Sequence, residues 1–293
     1  MKRVFATIGF TLISNERRWN HGCDYGFQVD REFGHGNRPE AANRLNYAFV
    51  EKEQIGRMLV GYGFPESEVE KFDEKRAPLW DYLSIKRTKF LHLIRAVIFG
   101  FASKDNAVIV GRGGQVLLKD LPGTLHVRII APFEVRLGRV IKNEGVEKKH
   151  AAEILRRSDS DSFGYIQSFF HVDWNDPTLY DLLINSAKVS METAVQMIID
   201  SARDQEIQEG EERVKEKLSD LALSQKVEAK LMDILGVGFR NLEVRAEKGA
   251  VVLRGGVVSQ AKKEECERTI TGLEGVERVE NQLWVDQYHQ FGP

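Results

Sequence analysis

The stretch Ala107–Leu118 reads Ala-Val-Ile-Val-Gly-Arg-Gly-Gly-Gln-Val-Leu-Leu. A β-branched apolar run stops abruptly at Gly111-Arg112-Gly113-Gly114. Arginine offers a planar fork that meets phosphate oxygens in pairs. Flanking glycines let the backbone turn with φ > 0 and let a ligand come close. The chemistry these residues suggest is a phosphate or nucleotide site at Arg112. A tight strand-to-helix turn with a solvated arginine fits the same residues, and this stretch alone leaves both open.

A second glycine turn lies upstream, at Gly34-His35-Gly36-Asn37-Arg38. It stands between the run from Phe27 and the alanine-rich start of a helix at Ala41. Pro39 suits a first helical turn, where its missing N–H costs nothing. Free N–H groups at such a turn, with the helix dipole, attract anions. The glycines do not match the spacing of a nucleotide-binding P-loop, and no Lys-Ser/Thr pair follows them. An ordinary turn therefore fits as well.

Other charged residues are grouped. Arg136 and Arg139 share one helix face at i, i+3. Arg156-Arg157 ends a predicted helix from Val146, and Ser158-Asp159-Ser160-Asp161-Ser162 reads as a polar turn that caps the next one. Phe72-Asp73-Glu74-Lys75-Arg76 is either a solvated helix face or a place where Asp73 reaches a substrate base or ribose. His21 and Cys23 have no second pair at zinc spacing, so a surface loop is expected there and no metal site.

The apolar pattern says what must hold these groups. Ala107–Val110 lacks polar alternation, as strands of a parallel sheet buried by helices do, and Leu125–Pro132 and Tyr180–Asn185 read as a second and a third buried strand. Ligands of such sheets gather at the carboxyl ends of the strands. Phe5–Ile13 reads as an early strand, and not as a secretion signal, because no small-residue cleavage site follows. Tyr47 to Phe101 reads as helical, and Met191–Ser201 as an amphipathic helix. After the charged stretch Ala202–Lys217 the pattern changes to α-β-β-α-β, ending in the alternating run Val276–Val285. The expected organisation is a nucleotide-binding domain over residues 1–201, a helical linker at 202–219 and a small domain at 220–288.

With 293 residues, 42% of them hydrophobic, the chain can bury about two cores. A net charge of -2 supplies no field to draw nucleic acid, so no nucleic-acid partner is expected. Cys23 and Cys266 read as free thiols of a reducing compartment, which points to the cytoplasm. No apolar run approaches the ~20 residues that span a bilayer.

Four stretches, in order and at sensible spacing, resemble the cytidylate kinase-like family, a divergent branch of P-loop nucleoside monophosphate kinases. They are Arg31-Glu32-Phe33-Gly34-His35-Gly36; Val108-Ile109-Val110-Gly111-Arg112-Gly113; His126–Pro132 with Arg136 beyond; and Asp173-Trp174-Asn175-Asp176-Pro177 leading to Tyr180-Asp181 and Asn185. The resemblance implies an α/β fold with a P-loop kinase-like parallel sheet wrapped by helices. It also implies ATP with Mg²⁺ as donor and a pyrimidine monophosphate, CMP or dCMP, as acceptor. Residues from about Asp220 to Asp286 resemble a BON domain, through Val251-Val252-Leu253-Arg254-Gly255 and Val279-Glu280-Asn281. That likeness implies a lipid or protein partner and no catalytic residues.

Phosphoryl transfer is mostly positioning and neutralisation of charge. On the resemblance, Gly34, His35, Gly36, Asn37 and Arg38 cradle the donor phosphates. Arg112, with Arg136 and Arg139, holds the acceptor phosphate, and Asp73 the rest of the acceptor. Arg156 and Arg157 precede a lid and close over the transferring group, so that Arg112, Arg156, Arg157 and Asp159 form the catalytic set. Asp159 and Asp161 either help with Mg²⁺ or cap a helix. The chain departs from the family's pattern in four places. It lacks the phosphate-loop lysine with its Ser/Thr, has Asn37 and Pro39 interrupting the small-residue glycine pattern, has Gly113 where an acidic residue is usual, and has Ser162 where a lid Asp-x-x-Arg would place arginine.

Overall fold

The computed structural model describes residues 5–8, 40–50, 52–69, 85–104, 106–119, 121–204, 211–236 and 238–286. In chain order the elements are β1 (Phe5–Ile8), α1 (Glu40–Leu45), β2 (Ala48–Val50), α2 (Lys52–Gly61), α3 (Ile85–Lys104), β3 (Ala107–Val110) and α4 (Gly114–Leu117). They continue with β4 (Thr124–Ile130), α5 (Phe133–Glu144), α6 (Lys148–Phe170), β5 (Leu182–Asn185), α7 (Met191–Ala202), α8 (Glu211–Leu235), β6 (Phe239–Glu247), β7 (Ala250–Val257), α9 (Gln260–Thr271) and β8 (Arg278–Val285). The chain divides into two compact units. One takes Met1–Gly56, Glu70–Ala77 and Asp105–Val214; the other takes Arg57–Val69, Pro78–Lys104 and Lys215–Pro293.

In the first unit five strands pair in parallel, in the order β2-β3-β1-β4-β5. Parallel neighbours need crossovers, and these are helical. Alternate residues of β4 (Leu125, Val127 and Ile129) join Val108 and Ile184 in a core closed by Ala41 and Ala42 of α1 and by Ala194, Val195 and Ile198 of α7. Burial of each of the larger aliphatic side chains contributes about 1.5–3 kcal/mol. Ser190 caps α7 by accepting from the Thr193 N–H at 3.1 Å.

The middle position of the sheet belongs to β1. Three expectations are corrected here. The Tyr47–Phe101 stretch is not wholly helical, because Ala48–Val50 pairs with β3 as an outer strand. The strand at Leu182–Asn185 is outermost and only Ile184 is buried, so it is not enclosed on both faces. Most important for the site, residues 158–162 form no turn: α6 runs unbroken through them. Leu155, Ser158, Ile166 and Phe169 keep one buried helical face across that polar run, and neither Asp is called on to cap.

In the second unit α3 is apolar on nearly every side and buries Phe90, Ile94 and Ile98. Its polar positions meet α8 in a ladder. Lys89 pairs with Asp233 at 2.6 Å, and His92 Nδ1 lies 2.7 Å from Glu228. Strands β6 and β7 are antiparallel, and β7 and β8 parallel, in the order β6-β7-β8. Val227 and Leu231 of α8 and Cys266 and Ile270 of α9 share one core with Val251, Leu253 and Leu283. This is the α-β-β-α-β order read from the sequence.

Cys266 is fully buried, and loss of water pushes its thiol up to about 11. The thiolate is the reactive form. Native protein at about pH 8 is therefore expected to leave Cys266 unalkylated in peptide mass mapping, with modification appearing only in denaturant. Modification at equal rates in both would mean that this core opens readily.

Candidate functional site

Strand β3 delivers the chain to three successive left-handed residues: Gly111 (φ 66), Arg112 (φ 56) and Gly113 (φ 77). Glycine takes this conformation freely, whereas a side chain there costs about 1–2 kcal/mol. The turn is closed by Gly114 N–H donating to Gly111 O at 3.1 Å, and by Val116 N–H donating to Gly113 O at 2.9 Å. A Cβ on Gly113 would lie 2.3 Å from the Phe170 ring. The turn is thus wedged against the end of α6. The Arg112 guanidinium lies 5.7 Å from the centroid of Tyr165, which itself packs against Phe169 at 4.9 Å and Phe170 at 6.1 Å. Arg112 therefore stands at the carboxyl end of an inner parallel strand, where such folds bind ligands.

The remaining arginines differ in how their forks are used. Arg136 and Asp159 form a two-pronged pair, Nη1–Oδ1 at 2.7 Å and Nη2–Oδ2 at 2.8 Å, between α5 and α6. Arg139 donates to Ser186 Oγ at 3.0 Å and to Ser186 O at 2.8 Å, tying α5 to the end of β5. Phe133 carries two guanidinium groups, Arg136 at 5.8 Å and Arg156 at 5.4 Å. Arg156 is exposed. Arg157 is exposed too and approaches Asp161 only at 3.7 Å, a pair of small energetic weight. Sequence spacing thus singled out Arg136 and Asp159 without showing that they bind each other. Gly34, His35, Gly36, Asn37, Arg38 and Asp73 lie outside the described residues.

Polar residues that sequence reading passed over occupy the other face of β4. Arg128 is buried. It donates to Trp174 O at 2.5 Å and to Asn175 Oδ1 at 2.9 Å, with its guanidinium 4.2 Å from the Trp174 ring and 5.3 Å from that of Tyr180. Tyr180 Oη donates to the same Trp174 carbonyl at 3.0 Å, and the His126 backbone N–H donates to Asp181 Oδ2 at 2.7 Å. These bonds buckle the approach to β5 onto β4. The available signal was the polar alternation Thr124, His126, Arg128 inside a run otherwise apolar. Arg128→Met is expected to cost about 2 kcal/mol in denaturant unfolding, since it strands buried acceptors. A change below about 0.5 kcal/mol would show that the buckle holds little.

Burial pushes His126 below the ordinary imidazole value, against an opposing pull from Asp181. The unfolded chain then binds a proton that the native state refuses. Stability is present in full above about pH 6.5 and falls as the pH drops from there toward the depressed native value. His126→Gln is expected to remove this limb, giving a flatter profile of urea midpoints than the parent below about pH 6.5. Parallel profiles would show that His126 takes its proton natively.

Among the described residues, no three His, Cys, Asp or Glu side chains gather as a metal cage. No described helix is long and apolar enough to cross a membrane. An arginine-bearing glycine turn at the carboxyl edge of a helix-wrapped parallel sheet belongs to an α/β protein. Residues 29–188, more than half of the chain, match the model of the cytidylate kinase-like family, and the chain belongs to that family. Residues 219–287 match the BON domain.

Among curated relatives, a 92-residue stretch (31% of this chain) is 35% identical to the cytidylate kinase of Pyrococcus horikoshii and spans 46% of it. A 106-residue stretch (35% of this chain) is 33% identical to the cytidylate kinase of Methanocaldococcus jannaschii and spans 58% of it. A 100-residue stretch (34% of this chain) is 29% identical to the uronate isomerase of Corynebacterium glutamicum and spans 19% of it. The chain thus spans about half the length of these kinases and a fifth of the isomerase. A solved structure of an uncharacterized protein from Eubacterium ventriosum aligns with a TM-score of 0.46 at 24% identity, over 68% of this chain and 99% of that one.

Proposed function

We propose that this chain is a nucleoside monophosphate kinase-like protein that transfers the γ-phosphoryl of ATP to a pyrimidine monophosphate, CMP or dCMP, in the cytoplasm. The observation that carries the reading is Arg112, held at the carboxyl end of β3 in a backbone conformation that disfavours any side chain. Backbone strain of this kind collects at sites that bind or react. In this reading Arg112 grips the acceptor phosphate with its fork, and the exposed Arg156 supplies further positive charge as the phosphoryl moves. The turn Gly34–Arg38 cradles the donor phosphates. Mg²⁺ would arrive with the nucleotide and neutralise charge on its phosphates. Arg136, bound to Asp159, and Arg139, bound to Ser186, would shape the wall of the site.

A second reading has its own support. The sequence lacks the phosphate-loop lysine and the lid arginine, and Asp159 already neutralises Arg136. On that reading the chain is a nucleotide-binding regulatory protein whose BON domain passes the signal to a lipid or protein partner. A coupled assay with ATP, Mg²⁺ and a panel of nucleoside monophosphates separates the two. Turnover with CMP or dCMP is the expected result. Nucleotide-dependent stabilisation without turnover supports the regulatory reading instead. Absence of both would remove nucleotide binding from consideration.

A further inference from the structure

We infer that Tyr165 is the residue that orients Arg112 toward an anionic substrate group, an inference that rests on Arg112 holding the acceptor phosphate. The left-handed turn fixes where the Arg112 backbone sits, and the direction of the long side chain is set by what it touches. Its guanidinium lies 5.7 Å from the Tyr165 centroid, inside the range over which an aromatic face attracts a cation. The ring is not free to follow the arginine. It packs on Phe169 at 4.9 Å and on Phe170 at 6.1 Å, and Phe170 closes directly over Gly113. Ile166, Ser168 and Phe169 are buried, which pins this end of α6.

One aromatic wall therefore contacts both the backbone of the turn, through Phe170, and the charge at its tip, through Tyr165. A fork held over a ring is aimed before the ligand arrives, so less side-chain freedom is lost on binding. The interaction uses the ring face. A phenylalanine should therefore serve, and an aliphatic side chain of similar bulk should not.

The test uses the full chain, with CMP as the probe in titration calorimetry and, with ATP and Mg²⁺, in steady-state kinetics. Tyr165→Phe is expected to bind CMP within about twofold of the parent, and Tyr165→Leu to bind it about five- to tenfold more weakly. The loss should fall on KM with kcat little changed, because what weakens is the grip on the acceptor. In an Arg112→Ala background, Tyr165→Leu is expected to add less than twofold, since the cation it orients is gone. A merely structural role for the ring would carry its full effect into that background. Should Tyr165→Leu fail to fold, Tyr165→Met is measured in its place.

Equal losses from the Phe and Leu variants, or additive losses with Arg112→Ala, would overturn the assignment of Tyr165 alone. Unchanged CMP binding by Arg112→Ala, or none by the parent, would overturn the reading of Arg112 beneath it.

Discussion

Arg112→Ala should lower kcat/KM for the accepting monophosphate by about 10³-fold, the lower end of what a transition-state arginine contributes. A two-pronged contact to phosphate comprises two charge-assisted hydrogen bonds, each of about 1.5–3 kcal/mol. Their sum covers a loss of this size, given about 1.4 kcal/mol for each factor of ten. The lysine variant tests the fork: it keeps the charge, loses the paired geometry, and should recover only part of the rate. The glycine variant tests the strain. Arg112 sits at φ 56 between two left-handed glycines, so Arg112→Gly should be more stable than the parent by about 1 kcal/mol. It should be as impaired in turnover as the alanine variant. A residue that is costly to the fold and valuable to the reaction is what the proposed role requires. A loss below tenfold in the alanine variant, with the protein still folded, would move the acceptor phosphate elsewhere.

Features carried by local pattern were legible in the sequence. An unbroken apolar run marked β3 as a strand of a parallel sheet, and the abrupt Gly-Arg-Gly end marked the turn. The change to an α-β-β-α-β pattern, ending in an alternating run, marked the small mixed sheet of the second unit. What stayed hidden depends on partners far along the chain. Ser158–Ser162 looked like a break because Ser and Asp favour caps. In the fold Arg136, 23 residues away, meets Asp159, and the helix continues. Arg128 was passed over because its acceptors, Trp174 O and Asn175 Oδ1, lie 46 and 47 residues on. Spacing placed Arg136 and Arg139 on one face. It carried no information that one would grip a carboxylate and the other Ser186. The reading of Gly34–Arg38 and Asp73 concerns residues outside those described.

Gly113→Ala should destabilise the first unit by about 3 kcal/mol, through two costs that can be separated. The first is conformational: φ is 77, and a Cβ there costs about 1–2 kcal/mol. The second is steric, because the added methyl would lie 2.3 Å from the Phe170 ring, and overpacking of this kind costs about 1–3 kcal/mol. Gly111→Ala isolates the first cost, since nothing lies within 4 Å of a Cβ at that position. It should therefore lose only about 1 kcal/mol. Phe170→Ala removes the obstacle. Combined with Gly113→Ala it should show a favourable coupling of about 1–2 kcal/mol in a double-mutant cycle. Thermal unfolding gives the comparison directly, at roughly 2–4 °C per kcal/mol for a unit of this size. Because Phe170 also packs against Tyr165, the Gly113 variant should displace the ring beneath Arg112 and weaken CMP binding even where the protein stays folded. Equal losses at Gly111 and Gly113, or no coupling with Phe170, would show that the turn is set by its own backbone and not by the wall of α6.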